Sequence, residues 1–596
     1  MKSIEYFFSE SEILRQICKM RIKLARSRSK KHLLHLLTDN PSYNYHVKEN
    51  SDSKNELQEY QKKLEKELNN ILPSRKKWVS LGENSRRKPN KSNEFLTSND
   101  RNFYSLLKTI QLHKKKKSQE QWFLNLQEFI ITIRKIVSEK KYTISTPVVF
   151  PELKGNLNRR GNNECRPICL FNFTDRIILS LTNKFLTQLF DDKFRESSYA
   201  FRIKKRGNQI ISHHDCIKDI LSYKNDHKNE NLYVVECDMK KFFDTIDHKI
   251  VEKKFDELIS ISKTQYPDLD LDFPILIFNK YLDSYCFNYN VPKKTDFNFW
   301  KSYGIQNGFF GWVDDEISEY YENISEERIG IPQGGALSGL IANIILNEAD
   351  IQMESYKVFY LRFCDDMIII SNSLDECSKS QYKYVETLKK LKLFPHTFKS
   401  VIELIDFDLN DKIYYKSFWK GKSKGPYQWG KVEDLNFPWI GFVGYEINYK
   451  GEIRVRKRSF KKEVKKQKTI VKEIKDAVNI GRRKPKGTIT ESAINRLIGM
   501  SVGRIGIDNF EEVSTDLCWK NGFKLLTLNE HSLNQIKEFD RSRSKNYYKL
   551  LKEVKPLEDP EIENKEREII KYNKPFSYYY QILERSKKED RSAKES

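Results

Sequence analysis

The chain has 596 residues, too many for one simple core, and 107 Lys or Arg against 83 Asp or Glu give it a net charge of +24. Such an excess points to a polyanionic partner such as nucleic acid, the bland alternative being charge that only aids solubility. No run of about 18 apolar residues occurs, and the N-terminal MKSIEYFFSESEILRQ lacks the apolar core of a signal peptide, so neither a membrane span nor secretion is expected. The nine cysteines are scattered and form no CxxC pair, which fits reduced thiols in a cytoplasmic protein.

In chain order, residues 1–140 read as a charged helical extension. ELQEYQKKLEKELNNIL (56–72) and EQWFLNLQEFIITIRKIV (120–137) have helical apolar spacing, and the polar stretch 80–100 reads as a linker. From about residue 142, short β-rich runs alternate with helices, predicting an α+β domain. NLYVVECDM (231–239) reads as a strand ending in an acid, and VFYLRFCDDMIII (358–370) as a β-hairpin with two acids at its tip. His213-His214-Asp215-Cys216 reads as a structural or surface cluster before a metal site. After about 455 the chain turns basic and helical, and the charged tail 556–596 ends in a segment (585–596) with the composition of disorder.

Adjacent aspartates repel, and apolar flanks shelter them poorly. A solvated turn would explain an arbitrary Asp-Asp pair. Here Asp365-Asp366 lie between VFYLRF and MIII, and a third strand-end acid, Asp238, precedes two aromatics. If strand and hairpin are neighbours in one sheet, the three carboxylates meet at one edge, where Mg²⁺, a hard cation preferring oxygen, would neutralise them. Two such ions activate a 3′-hydroxyl and stabilise a leaving pyrophosphate.

These segments resemble the reverse transcriptases. FCDD is similar to their Y/F-x-D-D box and DMKKFFDTIDH (238–248) to their first catalytic aspartate segment. GIPQGGALSGLIANIILNEAD (330–350) resembles the P-Q-G-G-x-x-S-P-L-L-A-N stretch, and RPICLFNFTDRIILSLTNKF (166–185) with SYAFR (198–202) resembles the fingers of bacterial, group II intron-like members. FVGYEI (442–447) looks like the primer grip, and the series runs in family order over about 150–460. The resemblance implies a right-hand polymerase with fingers, palm and thumb, using two Mg²⁺, or Mn²⁺, held by Asp238, Asp365, Asp366 and the Met239 carbonyl. Phe243 stands at the family's gate against a ribose 2′-hydroxyl, the alternative being that Phe243 is core and Phe242 faces the site. Gln333 would meet the incoming dNTP, Arg166 its triphosphate with Arg159 or Arg160 as a second cation, and Lys399 would protonate pyrophosphate unless it is an ordinary surface lysine. Two departures stand out: Ser338-Gly339 replaces Ser-Pro, and Phe363 replaces Tyr.

Residues 454–486 hold fifteen Lys or Arg against three acids, half the net charge of the chain. Phe460, Val464, Val471, Ile474 and Val478 form an apolar stripe, and Lys461, Lys465, Lys468, Lys472 and Lys475 a basic stripe beside it. One face can pack while the other follows a phosphate backbone, as in a thumb; a solvated face is the alternative. The expected divisions are a helical extension (1–140), fingers and palm (141–454), thumb (455–555) and tail (556–596). The expected function is RNA-directed DNA synthesis from dNTPs in the cytoplasm, most like the defence-associated (antiphage) reverse transcriptases, on a dedicated non-coding RNA and with an oligomer or second protein conceivable. A retron-type enzyme, template-independent or protein-primed synthesis, and a non-catalytic RNA binder on a polymerase scaffold are the alternatives.

Overall fold

The computed structural model describes residues 1–36, 56–82, 98–155, 157–158, 160–207, 209–400, 418–430, 436–480, 493, 497, 523, 525–526 and 529–554. Arg159, most of the 80–100 linker and the tail lie outside them. The chain divides into two compact units, one of 1–17, 49–75 and 115–443, the other of 18–48, 76–114 and 444–596. The helices expected in the N-terminal region form as Glu56–Ile71 and Gln121–Glu139.

The first unit is built on a mixed sheet. Its centre is Leu232–Cys237, LYVVEC, mostly apolar and buried, its one carboxylate, Glu236, held by Lys424 and Tyr427 at 2.7 and 2.6 Å. One neighbour is the hairpin Phe359–Phe363 and Asp366–Ser371; the other is Ser423–Trp429, flanked in turn by Asn436–Phe437. The hairpin pairs antiparallel with the centre, Cys237 opposite Met367 and Val234 opposite Ile370. Helix Ser338–Met353 is buried almost all round, as its SGLIANIILNEADIQM sequence requires, and packs with helix Leu374–Lys390, which covers the sheet. A second sheet pairs Val148–Leu153 antiparallel with Asn163–Leu170, whose first residues run parallel to Gly308–Phe310.

In the second unit, Tyr445–Asn448 pairs with Ile453–Val455, and helix Lys457–Ile480 packs with helix Glu530–Val554. Phe460, Val471 and Ile474 of the apolar stripe are buried and Val464 is half-buried. Gln467 is buried in the same stripe because its amide donates to the Phe539 carbonyl at 3.1 Å. Among the described residues no helix is long and apolar enough to cross a membrane. The α+β expectation holds.

Candidate active site

Asp238 directly follows the central strand. Its backbone N–H donates to Ser423 Oγ at 3.1 Å, and its carbonyl accepts from the His396 N–H at 2.9 Å, so both adjoining segments fix the chain there. Asp365 and Asp366 occupy the hairpin turn, where Phe363 pairs with Asp366. The Cys237–Met367 register brings Asp238 and Asp366 to the same end of the sheet.

The electrostatics reflect this meeting. The Cys237 thiol is pushed up to about 12, chiefly by burial, then by the charges of Asp238, Asp366 and Asp365. Burial, reinforced by Asp238, raises the Asp365 carboxyl above the usual carboxylate range. A cation is already drawn in: Lys422 Nζ stands 3.2 Å from Asp238 Oδ2, and its charge also reaches Asp365. His396 Nε2 lies 4.0 Å from the same Asp238 oxygen, and burial with the Lys422 charge lowers it to about 4, which keeps the ring neutral near pH 7.

Among the described residues no three His, Cys, Asp or Glu side chains are gathered into a ready metal cage. In its chemistry the donor set nonetheless fits a divalent ion, since the carboxylates at this sheet end are hard oxygen donors and a lysine ammonium already offsets the charge of Asp238. Met239 is buried beside them.

Among the residues following Asp238, Phe242 is 3% exposed and Phe243 half-buried. Both lie in a short helix, Phe242–Thr245, so helical turning rather than strand alternation separates them. Gln333 Nε2 donates to Asp244 Oδ1 at 2.7 Å, and the Gln333 carbonyl accepts from the Cys169 N–H at 2.9 Å. Asp244 is buried and pushed up to about 6 by desolvation, against the opposing pull of Gln333, Lys241, Lys154 and Arg166. The close turn at Gly335 needs glycine, because a Cβ there would meet the Tyr281 hydroxyl at 1.8 Å.

Arg166 is exposed on its strand opposite Glu152. Residues not anticipated from sequence gather next to it: Lys154 donates to Glu164 at 2.8 Å and Lys241 to the same oxygen. Arg160 is exposed in the turn before that strand. Lys399 pairs through its backbone with Lys424, and it is Lys422 whose ammonium reaches the carboxylates. The Ser338-Gly339 departure has a steric cause: a Cβ on Gly339 would meet the Phe201 ring at 2.6 Å. Of the basic stripe, Lys461, Lys465, Lys468 and Lys472 are exposed, whereas Lys475 is committed to Glu553 at 2.9 Å.

Residues 277–443 match the reverse transcriptase (RNA-dependent DNA polymerase) family. The chain is 24% identical over 213 residues to the COX1/OXI3 intron 1 protein of Saccharomyces cerevisiae and 24% identical over 192 residues to protein YkfC of Escherichia coli. Those stretches take 36% and 32% of this chain but 18% and 38% of the relatives' own lengths. Among solved structures, apo telomerase from Candida tropicalis, truncated from its C-terminal domain, aligns at 16% identity and a TM-score of 0.31, covering 55% of this chain and 59% of that one. Candida albicans telomerase with a fragment of telomeric RNA aligns at 12% and 0.29, over 79% and 71% of the two chains. The match spans the Gln333 bend and both hairpin aspartates, and over those residues this α+β chain is similar to that family.

Proposed function

We propose that the chain is an RNA-directed DNA polymerase acting by two-metal catalysis. The observation that carries this reading is the register that brings Asp238 to the same sheet end as Asp365-Asp366, which lie inside the family match. Asp238, Asp365, Asp366 and the Met239 carbonyl would hold Mg²⁺, which when bound activates the primer 3′-hydroxyl and stabilises the leaving pyrophosphate. Phe243, the more exposed of the two rings, would exclude ribonucleotides by contact. Gln333, oriented by Asp244, would face the nucleotide. Arg166, with Lys154 and Lys241, offers the positive charge a triphosphate requires.

Residues 141–454 would be fingers and palm, and 455–555 the thumb, whose four exposed lysines at helical spacing suit a template–primer backbone. The finer biology, antiphage defence with a dedicated non-coding RNA, rests on the sequence resemblance. Sequencing the nucleic acid that copurifies, before and after adding dNTPs, tests it: a single bound RNA species copied into DNA supports it, and unrelated cellular RNA opposes it. For the chemistry, Asp365→Asn and Asp366→Asn should each abolish Mg²⁺-dependent dNTP incorporation while leaving the melting profile intact. Near-wild-type synthesis in either variant removes the metal assignment.

A further inference from the structure

Behind the two hairpin aspartates lies an arginine with no exposed surface, Arg362. A guanidinium is tolerated in such a place only when its charge and its donors are all met. Nε and Nη2 donate to the two oxygens of Asp350, at 2.7 and 2.6 Å, which meets the charge. Asp350 belongs to the buried helix Ser338–Met353 and also accepts from the Tyr360 hydroxyl at 2.7 Å. Nη2 reaches Ser198 Oγ at 2.9 Å as well. The backbone of Arg362 is held on both sides, its N–H donating to the Ser197 carbonyl and its carbonyl accepting from the Tyr199 N–H.

Nη1 and Nη2 also donate, at 3.3 and 3.4 Å, to Asn343 Oδ1, and the contact that bears on the aspartates is the last one. Nη1 donates to the carbonyl of Cys364 at 2.9 Å. Cys364 is the first of two residues between the paired Phe363 and Asp366, and its φ is +61°, a region that a residue with a Cβ enters at a cost. The Cys364 carbonyl shares its peptide plane with the nitrogen of Asp365, so a bond to that oxygen fixes the plane from which the Asp365 side chain projects.

We infer that Arg362 is a positioning residue: through the Cys364 carbonyl it holds the turn that carries Asp365 and Asp366 at the sheet end of Asp238, where a divalent cation would draw on the three carboxylates. The inference rests on the reading of those three carboxylates as metal ligands. Arginine is needed because a planar fork can serve Asp350, Ser198 and Cys364 together, whereas a single ammonium on a flexible stem cannot.

The test uses the full chain and Mn²⁺ as probe, followed by electron paramagnetic resonance titration, with melting and single-nucleotide incorporation measured beside it. Arg362→Lys keeps the charge and loses the fork; Mn²⁺ binding should weaken about tenfold or more, as for other groups that orient metal ligands. The kcat should fall with it while KM for the dNTP stays nearly constant, a split that a purely structural arginine would not produce. Mn²⁺ affinity within twofold of wild type in a folded variant overturns the inference. Should Arg362→Lys fail to fold, Ser198→Ala removes one anchor of Nη2 and leaves the ion pair. A reproducible weakening of Mn²⁺ binding there supports the inference, and unchanged binding overturns it. Asp366→Asn separates the two levels. Wild-type Mn²⁺ affinity in that variant removes the metal reading and this inference with it, whereas binding lost there but kept in Arg362→Lys removes this inference alone.

Discussion

Replacing Asp244 with asparagine isolates one buried charge at the proposed nucleotide site. Burial pushes this carboxyl from 3.8 to about 6, even though Gln333, Lys241, Lys154 and Arg166 all favour its ionised form. A shift of roughly two pK units at about 1.4 kcal/mol each makes ionisation in the folded chain cost about 3 kcal/mol. Because the folded value is the higher, the relative stabilisation is fully present below pH 3.8, is lost as pH rises through about 6, and stays lost above. Asparagine cannot ionise, and its carbonyl still accepts from Gln333 Nε2. Asp244→Asn should therefore exceed wild type by about 3 kcal/mol at pH 8 and by roughly half that at pH 5. His248 has the opposite slope. Burial lowers it to about 4, so the unfolded chain takes up the proton first and stability declines as pH falls from 6.5. In wild type the slope of Asp244 opposes those of His248 and His396 between about pH 4 and 6; Asp244→Asn removes that opposition. Urea unfolding at pH 5, 6.5 and 8, followed by intrinsic fluorescence, measures the difference between variant and wild type. A gain independent of pH, or a loss at pH 8, would refute the reasoning, since it would mean that the surrounding cations outweigh burial.

Three further outcomes are expected. Phe243→Ala should admit ribonucleotides, lowering the dNTP/rNTP ratio of kcat/KM on the order of 10²–10⁴; an unchanged ratio with activity retained would move the gate elsewhere. Replacing Lys465, Lys468 and Lys472 with Gln should make the slope of log K against log[salt] for heteroduplex binding shallower by roughly two to three units, and parallel slopes would take the helix out of the nucleic-acid interface. Gly339→Ala should destabilise the chain by about 1–3 kcal/mol in denaturant melts, with Phe201→Ala in the same chain relieving much of the loss; equal costs with and without the Phe201 ring would mean that the clash is not the cause.

How much of this was legible in the sequence depends on whether a residue's partner is near in the chain. The placement of the three aspartates at one sheet end was legible because Asp238 ends an apolar β-run, Asp365-Asp366 join two others, and the hairpin turn is local. Gln333 was legible through its glycine-rich bend, although its partner Asp244 was not. Lys422 was missed because the strand following it reaches Asp238 by a pairing 185 residues away, and nothing in the spacing after Lys399 reveals that. Lys475 fell on the basic stripe by period alone, while Glu553, which occupies it, comes from a separate helix. Phe242 and Phe243 were separated by the wrong device, a strand pleat where the chain forms a helical turn.

Arg362 and Asp350 differ from these cases, because the sequence does carry a signal for them. Asp350 is a carboxylate fully buried in a helix rich in Leu, Ile and Ala, and Arg362 sits in a strand whose three inner positions are all buried. Either charge alone, placed in such surroundings, would destabilise the fold by several kcal/mol. Two opposite charges, each misplaced by pattern and twelve residues apart across a helix-to-strand connection, solve one another's problem. That reciprocity is readable from residue types and spacing alone. What spacing could not reveal is the direction of the fork's remaining arm, since only the positive φ of Cys364 turns its carbonyl back toward Nη1.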